Sequence, residues 1–77
     1  MSTHKKRLAQ IEGQVRGIER LIDDGASPVA IVTQIKAITS GLTTVAVTLI
    51  GEYLAGCTGR GAQKKLTEAA AAIRILG

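Results

Sequence analysis

From Leu8 to Ile22 the apolar positions are Leu8, Ile11, Val15, Ile18 and Ile22. Steps of three and four gather them on one side of a helix. The pattern predicts a first helix from about Lys5 to Asp24, closed by Gly25 in a left-handed C′ position. Ser27 then acts as N-cap and Pro28 takes the first position of a second, long helix that runs to about Gly56. Its main stripe is Ile31, Ile35, Ile38, Leu42, Val45 and Leu49. A second apolar row, Val29, Val32, Val47, Ile50 and Leu54, lies roughly a third of a turn away. Ala30, Ala37, Gly41, Thr44, Thr48, Gly51 and Ala55 supply a flank of small residues. Thr58 to Ala62 reads as a turn, and a third helix follows from about Ala62 to Leu76, with Leu66, Ala69, Ile73 and Leu76 on one face.

The expected fold is therefore all-α, a single domain over 1–77, made of three helices around a long central one. A helix this apolar around its girth exceeds what two short neighbours from one chain can cover, so the pattern predicts a bundle completed by association. Val29 to Ile50 is long enough to cross a membrane, but Gln34, Lys36 and several Ser and Thr residues interrupt it. A soluble homo-oligomer with no membrane partner is the expectation. Composition sharpens this picture in two ways. Cys57 is the only cysteine, which excludes a disulfide within the chain and, with no signal-like start, points to a reducing cytoplasm. Tyr53 is the only aromatic residue, so the core must be built from Ile, Leu, Val and Ala.

The formal charge of +4 favours a polyanionic partner. Its most ordered part is on the first helix, where Lys6, Arg16 and Arg20 flank a line of Ala9, Gly13 and Gly17 opposite the apolar stripe. Lys5 and Arg7 extend the charge toward the N-terminus, and Lys64 and Lys65 add to it from the third helix. Each exposed mid-helix glycine costs about 0.8–1 kcal/mol relative to alanine. Two readings of the glycine line stand side by side: close approach of a phosphate backbone or another helix, or simple tolerance beside a Glu12–Arg16 pair. The chain has no helix-turn-helix signature, zinc-finger spacing or aromatic platform, so any DNA contact would use a flat, phosphate-dominated and salt-sensitive face. One His, one Cys and no clustered carboxylates leave no acid–base or nucleophile–base pair, which argues against an enzyme. Tyr53 and Cys57 share a helix face, where the thiol reads either as inert packing or as a reactive group. Without Met1, the run Ser2-Thr3-His4 offers an amine, two amide nitrogens and an imidazole to a square-planar nickel or copper ion.

Three stretches, RLAQIEGQVRGIERLID, VTQIKAI and EYLAGC, together resemble the CsoR/RcnR family of small bacterial transcriptional repressors, in family order. The resemblance implies three-helix subunits that pair into an antiparallel four-helix-bundle dimer and then a dimer of dimers. It implies repression through operator DNA, relieved by a transition metal ion such as nickel, cobalt or copper, or by a thiol-reactive species. DNA contact carries over to Lys5, Lys6, Arg7, Arg16 and Arg20, and sensing to Cys57, Tyr53, His4 and Glu68. The ligand set departs from the family's copper sensors: their first thiolate position falls at Pro28, their His at Tyr53, and only Cys57 remains. The alternative from the residues themselves is a helical oligomerisation module that does not regulate DNA.

Overall fold

The computed structural model describes residues 3–55, 59 and 61–77. They form α1 (Thr3–Asp23), α2 (Pro28–Ala55) and α3 (Ala62–Leu76), with no strand among the described residues. α1 starts at Thr3, ahead of the expected Lys5, because nothing in the segment before Lys5 opposes helix. The expected end of the second helix at Gly56 lies outside the described residues, as do Thr58 and Arg60 of the turn.

The connection between α1 and α2 follows its sequence signals closely. Gly25 has φ +69°, and its N–H donates to Ile22 O at 3.1 Å while Ala26 N–H reaches Leu21 O at 2.9 Å. A left-handed glycine thus closes carbonyls that α1 would otherwise leave open. Two residues later Ser27 Oγ accepts the N–H of Ala30 at 3.3 Å, and Ser27 O accepts that of Ile31 at 3.2 Å. Ser27 is the N-cap and Pro28 the first helical residue. At the other turn Gly59 and Gly61 both have positive φ, and Gly61 caps α3 with its carbonyl, which accepts Lys65 N–H at 3.1 Å.

The chain forms two compact units, Met1–Leu42 and Thr43–Gly77, through which α2 runs without a break. In the first, α1 packs on α2 around Ile11 and Ile38, each 8 % exposed. Gly41 permits the approach, since a Cβ there would stand 3.3 Å from Ile11 Cδ1. In the second, Val45 and Ala69 are buried, at 5 % and 4 % exposure. These four residues are the whole buried core among the described residues.

The helices use their apolar stripes differently from the sequence expectation. On α1, Ile11 and Ile18 turn inward while Leu8, Val15 and Ile22 remain exposed. On α2, Ile31, Ile38 and Val45 turn inward while Ile35, Leu42 and Leu49 remain exposed. On α3 the covered positions are Ala62, Lys65, Ala69 and Ala72, and the bulky Leu66, Ile73 and Leu76 point out. Of the predicted α3 face only Ala69 is buried. The reason is geometric. A single neighbour covers one row of a two-row seam, and α3 comes close to α2 through its alanines because small side chains let backbones approach. The uncovered rows recur at seven-residue steps on each helix, as a two-row seam requires.

α2 is long and apolar enough to cross a membrane by length and composition, properties equally those of a helix enclosed by other helices. Its threonines suit such enclosure: Thr33, Thr39 and Thr48 donate their hydroxyls to the carbonyls of Val29, Ile35 and Thr44, four residues back.

Two opposed substitutions test this local account. Ser27→Ala should lower stability by about 1 kcal/mol through loss of the cap. Gly25→Ala should cost about 1–2 kcal/mol because an L side chain is strained at that φ. Urea unfolding followed by circular dichroism reads both, and an unchanged midpoint for either would contradict the cap geometry.

Candidate functional site

Two surfaces carry polar chemistry: the side of α1 that faces away from α2, and the contact between the last turns of α2 and the second turn of α3. On α1, a helical step of about 100° per residue places Lys5, Arg16, Arg20 and Lys6 within an arc of roughly 100°, opposite the buried Ile11. Ala9, Gly13 and Gly17 lie along the same arc. All four cations are exposed. Arg7 is exposed as well, but stands about another 100° round the helix from Lys6, on the side of Gln14 and Ile18. The fold therefore groups four of the five predicted DNA-contact residues and sets Arg7 apart on the flank. Glu12 and Glu19 border the arc on the side of the exposed Leu8 and Val15, confining the positive potential to a stripe.

A Cβ built on Gly13 or Gly17 meets nothing within 4 Å. Packing within this chain therefore gives no reason for glycine at either position. Helix propensity argues against glycine there, at about 0.8–1 kcal/mol each. What these positions supply is a smooth strip between cations, over which an extended anionic surface can come close.

The second surface belongs wholly to the unit Thr43–Gly77. Tyr53, on α2, donates its phenolic hydroxyl to Glu68 Oε2 on α3. Lys65 Nζ sits 5.5 Å from the centre of the Tyr53 ring, within range of a cation–π attraction. Lys65 and Glu68 are three residues apart on α3 and so present to the same side. Beneath them Leu49, Ile50, Ala69 and Ala72 wall a shallow, open cavity of about 390 Å³, with Tyr53 and Glu68 at its rim. Glu68, for which solvent exposure is the default, is thus engaged with the one aromatic residue of the chain. The sequence marks Lys65 only as added positive charge; its i,i+3 spacing to Glu68 is the available signal, meaningful only once Tyr53 is known to face both.

The remaining sensing candidates stay apart from this contact. His4 is half-buried in the first turn of α1, within the unit Met1–Leu42. Ser2 and Cys57 lie outside the described residues. Among the described residues no group of three or more His, Cys, Asp or Glu side chains is placed to hold a metal ion.

Comparison with known proteins matches nearly the whole chain. The family model described as metal-sensitive transcriptional repressor matches residues 2–75. The copper-sensing transcriptional repressor RicR of Mycobacterium tuberculosis is 46% identical over 80 aligned residues, which cover 95% of this chain and 83% of the relative.

The Tyr53–Glu68 contact predicts a measurable coupling. Tyr53→Phe should destabilise the chain by about 0.5–1.5 kcal/mol, toward the lower end because both residues are exposed. Glu68→Gln should cost less, and the double variant should cost little more than Tyr53→Phe alone. Fully additive losses in thermal unfolding would show that the two side chains do not meet in solution.

Proposed function

Because the chain belongs to the metal-sensitive transcriptional repressor family, we propose that it represses transcription by laying the basic arc of α1 on the phosphates of an operator. The observation that carries this reading is the coincidence on one exposed arc of Lys5, Lys6, Arg16 and Arg20 with two glycines that the chain's own packing does not need. We extend the same role to Arg7, which the helical step places on another side of α1. Affinity then comes mainly from charge, and selectivity in part from DNA shape and deformability.

The uncovered rows on all three helices support a homo-oligomer in which copies of the chain cover one another. An antiparallel four-helix-bundle dimer, doubled into a dimer of dimers, satisfies both seams and brings several basic arcs to one DNA. Since each arc neutralises phosphates, assembly multiplies the electrostatic term. A change at one subunit contact re-spaces the arcs and releases the DNA, which is how a cue acts on such a repressor. The cytoplasm is its place of action.

The cue is a transition metal ion, nickel, cobalt or copper, or a thiol-reactive species. Copper comes first because the relative described above is copper-sensing. Cys57 is the one thiol and His4 the one imidazole that the chain offers. We place the sensing region around Cys57, with Tyr53 four residues before it and Glu68 beside Tyr53.

The test is fluorescence anisotropy of DNA from the chain's own upstream region, with reduced, metal-free protein at several salt concentrations. Arg16→Ala and Arg20→Ala should weaken binding and flatten the salt slope by about 0.9 for every phosphate no longer neutralised. Gly13→Ala and Gly17→Ala should stabilise the helix, by about 0.8–1 kcal/mol each, yet weaken DNA binding. An interaction module would bind the upstream and scrambled DNA alike, and none of the four substitutions would matter.

A further inference from the structure

The family to which the chain belongs implies a metal ion, and the donor atoms present can be tested against it. Copper(I), the soft ion, takes thiolate, thioether and imidazole ligands. The whole chain contains one Cys, one His and one Met. At the contact between α2 and α3 the donors are two hard oxygens, the Tyr53 phenol and the Glu68 carboxylate, already satisfying each other. The phenol is the hydrogen-bond donor there, so it keeps its proton, and a protonated phenol is a poor ligand. The Lys65 ammonium 5.5 Å from the ring adds a positive charge that opposes a second cation. No group of three metal-binding side chains occurs among the described residues. The residues at this contact do not fit a copper ion.

We propose that Tyr53, Glu68 and Lys65 form a metal-free clasp, which holds the start of α3 on the end of α2 without a bound ion. Its parts complement one another. The carboxylate accepts the hydrogen bond that the phenol donates, the ammonium attracts the ring face, and Leu49, Ile50, Ala69 and Ala72 supply an apolar floor. Tyr53 is thus a positioning residue: it fixes the helix end that leads, four residues on, to Cys57. The clasp deepens the repressor reading and rests on it only for the consequence that copper, where it acts, acts elsewhere than on Tyr53 and Glu68.

Since Tyr53 is the one aromatic residue, all tyrosine emission comes from this side chain. A phenol donating to a carboxylate is quenched, so Glu68→Gln in the full, reduced chain should raise the emission. Unchanged emission would mean that the clasp is absent in solution and would overturn the proposal. Copper(I) is then supplied as its coloured bicinchoninate complex, and the loss of colour is compared between the wild type, Tyr53→Phe, Glu68→Gln and Cys57→Ala. The clasp predicts that Tyr53→Phe and Glu68→Gln withdraw as much copper as the wild type, whatever that amount is. A loss confined to Cys57→Ala agrees with it. Copper withdrawn by the wild type but released by both Tyr53→Phe and Glu68→Gln would make the pair a metal site and overturn the proposal. Operator anisotropy on the same samples keeps the two readings separate: absence of DNA binding would count against the repressor and leave the emission and colour results standing.

Discussion

Everything in this molecule depends on the fact that α2 has more apolar surface than its own chain can cover. α1 takes one row of the seam in the unit Met1–Leu42, and α3 takes one row in the unit Thr43–Gly77. The rows left over are of full-sized aliphatic side chains, Leu8, Val15 and Ile22, then Ile35, Leu42 and Leu49, then Leu66 and Ile73. At about 25 cal/mol for each Å² of apolar surface removed from water, covering even part of these rows would outweigh most single contacts in the chain. Four buried residues among those described are too few to sustain an independent 77-residue fold. The proposed repressor is therefore read as an assembly that takes its geometry from the covering of these rows.

This constraint bears on the two surfaces to which the proposal assigns function. The basic arc of α1 lies opposite the side that packs, so whatever covers Leu8, Val15 and Ile22 also fixes where the arc points. The contact of Tyr53, Glu68 and Lys65 lies at the other end of α2, on a helix that must hold several neighbours at once.

Much of the fold was legible in the sequence, because it rests on local chemistry. Gly25, Ser27 and Pro28 mark the end of one helix and the start of the next through backbone geometry that few other residues reproduce. Helix bounds followed from periodicity and cap signals, and those that fall on described residues were matched within a residue or two. What the sequence could not resolve was which row of each seam faces inward, since Leu66 and Ala69 both fit the same helical period. The preference of α3 for its alanines is a property of the pair of helices, and periodicity of one helix carries no record of it. The cationic residues of α1 were readable as a group, with Arg7 set apart only when each position is placed around the helix. Glu68 was named through the resemblance alone, and its partner Tyr53 was visible only in the structure. A hydrogen bond between residues 15 apart leaves no local mark on the chain.

The claim that packing is completed by other copies is tested most directly by unfolding at different chain concentrations. For an assembly that dissociates as it unfolds, the thermal midpoint must rise with protein concentration, because mass action favours the associated state. The account predicts such a rise across a dilution series, together with sedimentation of the folded chain as a species heavier than one subunit. A folded, cooperative monomer with a midpoint independent of concentration would contradict it.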